Sequence, residues 1–216
     1  VRFLQGPLEA VGRLYLLDCQ VLVAGEEALA QIRLDQPVVV APGDRFVLRQ
    51  TSPMVTLGGG EVLDQSRWRL KTGKDFVVSA VKRKMDALGS PDAFLLSVME
   101  EEELEIHEVA DLARRAAMTR EELETHLQAL QQSDKILTIS DGKWVVRSGL
   151  KRGGDRIIDA IERAYREDPY RISVKLLEIR DRTRLSGRFL ESVVEQLEDE
   201  QKIERIRGGR VMLPGW

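Results

Sequence analysis

The feature that most constrains this chain is a repeat of element order. Over residues 91–148 the sequence reads as three short helices and a hairpin, and over 149–216 the same order returns. In the first block Ser90 is an N-cap and Pro91 stands at the first helical position, predicting a helix over Ala93–Glu103. Ile106, Val109, Ala110 and Ala113 share one face of a second helix over Ile106–Ala117. Thr119-Arg120-Glu121-Glu122 has capping-box form and opens a third, which buries Leu123, Leu127 and Leu130. Lys135–Ser140 and Lys143–Val146 then form a hairpin about Asp141-Gly142. The second block offers helices over Arg156–Arg166 and Lys175–Asp181, with a short strand at Arg171–Val174. Its third helix is capped by Ser186 and carries Phe189, Leu190, Val193, Val194 and Leu197 inside. Ile203–Ile206 and Val211–Leu213 close a hairpin across Arg207–Arg210. Helix, helix, helix and hairpin within about 65–70 residues is the winged-helix form of the helix-turn-helix. Two copies predict tandem winged helices.

The first 64 residues have a different period. Leu14–Leu17, Ala28–Leu34, Val38–Val40, Phe46–Arg49 and Glu61–Leu63 read as short strands, broken at Gly25, Pro37, Pro42-Gly43-Asp44, Pro53 and Gly58-Gly59-Gly60. Such spacing predicts a sandwich or barrel, here a partial one. Three consecutive glycines make a poor strand interior and point to close backbone approach, a bulge or a barrel corner. Residues 65–90 form a connector that ends in a helix with Phe76, Ala80, Val81, Met85 and Leu88 on one face. The predicted organisation is a partial β-barrel over 1–64, a basic linker and connecting helix over 65–90, and winged helices over 91–148 and 149–216. Together this is a multidomain β plus α+β chain. Its N-terminus, Val1-Arg2-Phe3, is neither an initiator Met nor a signal peptide, so the chain reads as cut from something longer.

Charge distinguishes the segments. The net charge is −3, but it runs −3 over 1–64, +6 over 65–84, −8 over 85–148 and +2 over 149–216. The first module's third helix would carry Glu121, Glu122 and Glu124 towards phosphates, which is repulsive, so a spacer or protein-contact role is expected there. In the second module Arg180, Arg182, Arg184 and Arg188 precede or open the third helix, and Arg205, Arg207 and Arg210 flank the wing. Arginine suits phosphate because its planar fork donates paired hydrogen bonds and keeps its charge. These seven are the candidate nucleic-acid contacts. The bland alternative is pairing with Glu178, Asp181, Glu191 and Glu204. In the connector, Arg67, Arg69, Lys71, Lys74, Lys82, Arg83 and Lys84 surround Trp68. That combination either meets an RNA backbone with a stacking aromatic or packs its tryptophan on the barrel.

Catalysis finds no foothold. No G-x-x-x-x-G-K-[ST] run is present, and the glycine triplet lacks the lysine and helix start that phosphate binding needs. His107 and His126 fall on separate predicted helices as solvated residues, and Glu100–Glu103 reads as a solvated helix end, so no metal cluster is expected. The single cysteine, Cys19, lies in the apolar run Leu14–Val23 and is expected to be packed. It permits no internal disulfide, which fits a reducing cytoplasm. No apolar run reaches the roughly 18–20 residues of a membrane span.

Pro42-Gly43-Asp44-Arg45-Phe46-Val47-Leu48-Arg49, followed by Thr56-Leu57-Gly58-Gly59-Gly60-Glu61-Val62-Leu63-Asp64, resembles the last strands of the third domain of elongation factor Tu-like GTPases. The triple glycine with Val-Leu-Asp, and Ala30-Gln31-Ile32-Arg33-Leu34 before Pro37, resemble the selenocysteine-specific branch. Tandem winged helices after that barrel are the branch's domain plan, and Val211-Met212-Leu213-Pro214-Gly215 fits its second module's ending. The resemblance implies a cytoplasmic factor that carries selenocysteinyl-tRNA to the ribosome at UGA codons and reads a hairpin in selenoprotein mRNA. It implies a tRNA-facing loop at Gln50-Thr51-Ser52-Pro53, which has no basic residue and would act through backbone or hydroxyl groups. GTP and magnesium would belong to the whole factor, whose GTPase domain is not in this sequence, leaving no cofactor or catalytic residue here. The mRNA reader would be the last of four winged helices, beyond the two seen. Two other readings stay open: a winged-helix transcription regulator on DNA, and a non-enzymatic interaction scaffold.

Overall fold

The computed structural model describes residues 1–66, 68–140 and 142–215. Of the features named above, Arg67 of the basic connector and Asp141 of the hairpin turn lie outside the described residues. The chain divides into two compact units. The first comprises Val1–Val98 and Ala113–Thr119; the second comprises Met99–Leu112 and the chain from Arg120 onward.

The first unit begins with a hairpin of β1 (Arg2–Gln5) and β2 (Leu8–Leu16), of which the spacing of apolar runs marks only the end of β2. Its two-residue turn holds Gly6 at φ 55°, a conformation that costs glycine little. With β3 (Ala30–Leu34), β4 (Arg45–Arg49) and β5 (Thr56–Glu61) it forms an antiparallel sheet in the order β3-β2-β1-β4-β5. Phe3, Leu48 and Val62 are its buried centre, and the Phe3 and Phe46 rings lie 5.0 Å apart. Val38–Val40 is not a strand, and Val39 is among the most exposed apolar residues. The apolar run ends at Leu17. Val21, Leu22 and Val23 are exposed in the loop that follows, and Cys19 is half-buried rather than packed.

The glycine triplet is a strand interior after all. Gly58, Gly59 and Gly60 pair with Leu48, Val47 and Phe46 along the exposed strand β5, beside a register shift at Leu48/Arg49. The close approach that glycine implies is also present. A Cβ on Gly59 would sit 2.7 Å from the Phe46 carbonyl oxygen, and one on Gly60 would sit 2.7 Å from the Phe46 ring. The ring covers the glycine it pairs with, supplying the packing that glycine lacks.

Helix α1 (Asp75–Ala87) turns a different face inward from the one predicted. Val77, Lys84 and Ala87 are buried, whereas Phe76 and Met85 are exposed. Val77, Val78 and Val81 pack with Leu17, Leu29, Leu63 and Leu70. A lysine belongs to this buried face because its ammonium donates to the Asp64 carboxylate at the end of the barrel segment.

The winged-helix repeat is offset by 67 residues, with matching starts at 107 and 174, 109 and 176, and 120 and 187. It runs α2 (Pro91–Glu100), β6 (His107–Glu108), α3 (Val109–Ala116), α4 (Arg120–Gln132), β7 (Ile136–Ser140) and β8 (Lys143–Val146). The second copy is α5 (Arg147–Glu167), β9 (Val174–Lys175), α6 (Leu176–Thr183), α7 (Gly187–Asp199), β10 (Glu204–Ile206) and β11 (Arg210–Met212). The sheets β6-β8-β7 and β10-β11-β9 share one arrangement, with the hairpin's second strand in the centre. Even the left-handed residues repeat: Ala117 and Arg184 after one helix, Asp134 and Gln201 after the next.

Three local expectations change. His107 is in a strand, opposite Trp144, and is buried rather than solvated, because the helix starts only at Val109. Ser186 stands at the N-cap of α7 but makes no side-chain cap bond. Helix α5 begins at Arg147, nine residues before Arg156, and so runs through the 148/149 boundary. It crosses Gly149, Gly153 and Gly154, poor helix formers, because packing requires them. Added Cβ atoms would meet the Glu103 carbonyl oxygen at 1.8 Å, Val193 at 2.9 Å and Leu197 at 3.2 Å. Val145, Leu150, Ile157, Phe189 and Val211 consequently share one core. Burying each large side chain there contributes about 1.5–3 kcal/mol before the entropy of ordering it.

Candidate nucleic-acid interface

The seven candidate arginines of the second module divide into braced and free ones, with Arg180 between them. Arg182 is held between two carboxylates: it donates to Glu167 at 2.9 and 2.5 Å and to Glu178 at 3.1 Å. Arg171 donates to both Glu178 oxygens and to the Ser173 carbonyl at 2.9 Å. These hydrogen bonds depress Glu167, mainly through Arg182, and Glu178, mainly through Arg171, below the ordinary carboxylate range. Arg182 is raised, first of all by its hydrogen bonds to Glu167. Arg205 loses solvent, which opposes its charge, but hydrogen bonds to Glu198 at 3.0 Å and Glu191 at 3.1 Å outweigh that and raise its pKa. Arg210 donates to the hydroxyl of buried Ser173 at 2.8 Å and to its carbonyl at 3.1 Å, tying the wing strand to the loop before β9. These arginines brace the module.

Arg184, Arg188 and Arg207 are exposed and make no ion pair among the described residues. They occupy the turn between α6 and α7, the first turn of α7 and the tip between β10 and β11. A helix-turn-helix presents the start of its third helix to nucleic acid, and the uncommitted charge stands on that part of the motif. Arg180 is intermediate, with Asp181 at 3.9 Å. Of the expected partners, Glu178, Asp181 and Glu191 take part, and Glu167 and Glu198 were not anticipated from the sequence. Their spacings across elements, 15 and 7 residues, carry no local signal.

At the 67-residue offset the first module places Ala117 against Arg184 and Glu121 against Arg188. The corresponding turn and helix start are therefore neutral and acidic. Glu103, expected as solvated, has a mostly buried side chain paired with Arg152 at 2.5 Å.

In the first unit, residues 50–57 are all exposed. The loop Gln50-Thr51-Ser52-Pro53 closes on itself: Gln50 N–H donates to the Val55 carbonyl at 2.7 Å, and its carboxamide donates to the Ser52 carbonyl at 3.0 Å. The Thr51 and Ser52 hydroxyls have no hydrogen-bond partner among the described residues. Among the described residues no group of three or more His, Cys, Asp or Glu side chains could hold a metal ion, and no helix is long and apolar enough to cross a membrane.

Residues 1–68 match the family described as the β-barrel domain of the selenocysteine-specific elongation factor. The selenocysteine-specific elongation factor of Desulfomicrobium baculatum is 36% identical over 64 residues, which are 30% of this chain and 10% of that protein. The crystal structure of a bacterial selenocysteine-specific elongation factor, EF-Sec, superposes on 99% of this chain and 31% of its own, with a TM-score of 0.66 and 15% identity. That likeness concerns the fold: the barrel segment followed by winged helices. The mRNA-binding domain of elongation factor SelB from E. coli, solved with SECIS RNA, aligns with 57% of this chain and 97% of its own at a TM-score of 0.43 and 18% identity. This chain thus spans a tenth of the curated relative and under a third of the EF-Sec chain. Through its first 68 residues, the chain is similar to the β-barrel domain of selenocysteine-specific elongation factors.

Proposed function

We propose that these 216 residues form the coupling arm of a factor that delivers selenocysteinyl-tRNA to the ribosome at UGA codons. The observation that carries this reading is the family's β-barrel sequence over 1–68, joined to two winged helices. On this reading the loop Gln50–Pro53 meets tRNA through the open Thr51 and Ser52 hydroxyls. Arg184, Arg188 and Arg207, with Arg180 beside them, contact RNA phosphates. The first module spaces the body from modules that read the mRNA hairpin. GTP and magnesium act in other domains of the cytoplasmic factor, and this part performs no catalysis.

Helix α5 supports the spacer role, because one continuous helix with glycine-tight packing transmits position better than a flexible linker. The test is UGA read-through by an intact factor carrying this region, with a flexible Gly-Ser insertion between Ser148 and Gly149. Read-through should fall while affinities for selenocysteinyl-tRNA and for the mRNA hairpin persist. Unchanged read-through refutes the coupling role.

A further inference from the structure

We infer that the connector is a separate RNA-contacting site, in which an unstacked base lies on the indole of Trp68 while Arg69, Lys71 and Lys74 meet the flanking phosphates. The site goes beyond the delivery role and does not depend on it.

Trp68 is 72% exposed, although apolar surface lay within reach of its segment: Leu70, two residues on, packs with Leu17 and Leu29. The backbone around it is fixed. The Trp68 carbonyl accepts from Gln31 Nε2 at 2.8 Å and from the Ser66 hydroxyl at 2.8 Å, and the Trp68 N–H donates to Ser66 Oγ at 3.3 Å. Leu70 N–H donates to Gln31 Oε1 at 3.1 Å, and its carbonyl accepts from Arg33 at 3.1 Å. Gly73 N–H donates to the Leu17 carbonyl at 3.0 Å. The connector is thereby stapled to β3 and the strand end after β2, with the indole held outward on a rigid frame.

Charge decides what that frame receives. Arg69, Lys71 and Lys74 are exposed and make no ion pair among the described residues. The nearby carboxylates do not neutralise them, since Asp64 is taken by Lys84 and Asp75 is the one acidic residue in 65–84. A π-face flanked by free cations fits a strand that offers flat bases and phosphates together. A frame already ordered before binding loses little further freedom. An acidic protein segment would use the cations but not the indole face.

The experiment is a fluorescence-anisotropy titration of the 216-residue chain with a labelled oligouridylate of about 12 nucleotides at low salt. Trp68→Ala should weaken binding about tenfold, and Trp68→Phe should keep most of the affinity. Tryptophan emission should be quenched by the RNA in the wild type and much less in Trp68→Ala, with both melting at the same temperature. An Arg69→Gln/Lys71→Gln pair should flatten the salt dependence. The dependence on Trp68 should survive an Arg184→Ala/Arg188→Ala/Arg207→Ala background, which separates this site from the second module. Undiminished binding and quenching in Trp68→Ala overturn the inference, as does an oligoglutamate peptide that binds with the same dependence on Trp68.

Discussion

Gly149 lies directly against the backbone carbonyl of Glu103, so close that a Cβ at 149 would stand 1.8 Å from the oxygen. The contact joins the start of α5 to the turn after α2, and Arg152 pairs with the Glu103 side chain one helical turn on. Because the obstacle is backbone, no rotamer change relieves it. Gly149→Ala should destabilise the chain by about 2–3 kcal/mol, in the range of overpacking, even though alanine is the better helix former. Thermal unfolding followed by circular dichroism checks this; an unchanged or raised melting temperature would show that the joint is looser than described.

The free and braced arginines should separate by experiment. Arg188→Ala is expected to leave the melting temperature unchanged while weakening RNA binding and lowering the salt slope by about 1. Arg182→Ala removes a cation shared by Glu167 and Glu178, and should cost about 1 kcal/mol of stability with a smaller effect on binding. Parallel melts and anisotropy titrations at several salt concentrations measure both.

The Arg171–Glu178 pair predicts a pH dependence with a definite sign. Hydrogen bonds from Arg171 hold the Glu178 carboxyl below its ordinary value of 4.5. A depressed carboxyl contributes stability that is full above the unfolded-state value and is lost as pH falls through the folded one. Glu178→Gln should therefore lower the melting temperature at neutral pH, with the gap to the wild type narrowing as the pH falls below the ordinary carboxylate range. A constant gap across that range would show that the charge plays no part.

Lys84 and Asp64 offer a double-mutant test. Lys84→Met alone strands a largely buried carboxylate, and should cost about 2–3 kcal/mol. Adding Asp64→Leu should recover much of that loss, because removing both charges removes the desolvation penalty. Urea denaturation of the wild type, the two single variants and the double variant gives the coupling energy directly.

Much of the architecture is legible in the amino-acid order. The winged helices show in their apolar spacing and turn residues, because Leu123, Leu127 and Leu130 recur as Leu190, Val194 and Leu197. Where expectation and fold part, the physical cause is shared: tertiary packing overrides local rules. The glycines of β5 form a strand because the Phe46 ring covers Gly60. Those of α5 stay helical because Glu103, Val193 and Leu197 leave no room for a side chain. Lys84 is buried because Asp64, 20 residues earlier, receives its charge. The candidate contacts are legible only as a composition. Which arginines are free depends on Glu167 and Glu198, brought near by folding across elements that sequence spacing does not connect.

The most direct test of the RNA-arm reading is a titration of the 216-residue chain with selenocysteine tRNA, an equal length of duplex DNA serving as competitor. Binding should favour the tRNA, weaken steeply with salt, and fall at least about tenfold in Arg184→Ala/Arg188→Ala/Arg207→Ala without change in melting temperature. Preferential, sequence-dependent binding of the DNA, with the tRNA left free, would contradict it and favour a winged-helix regulator instead.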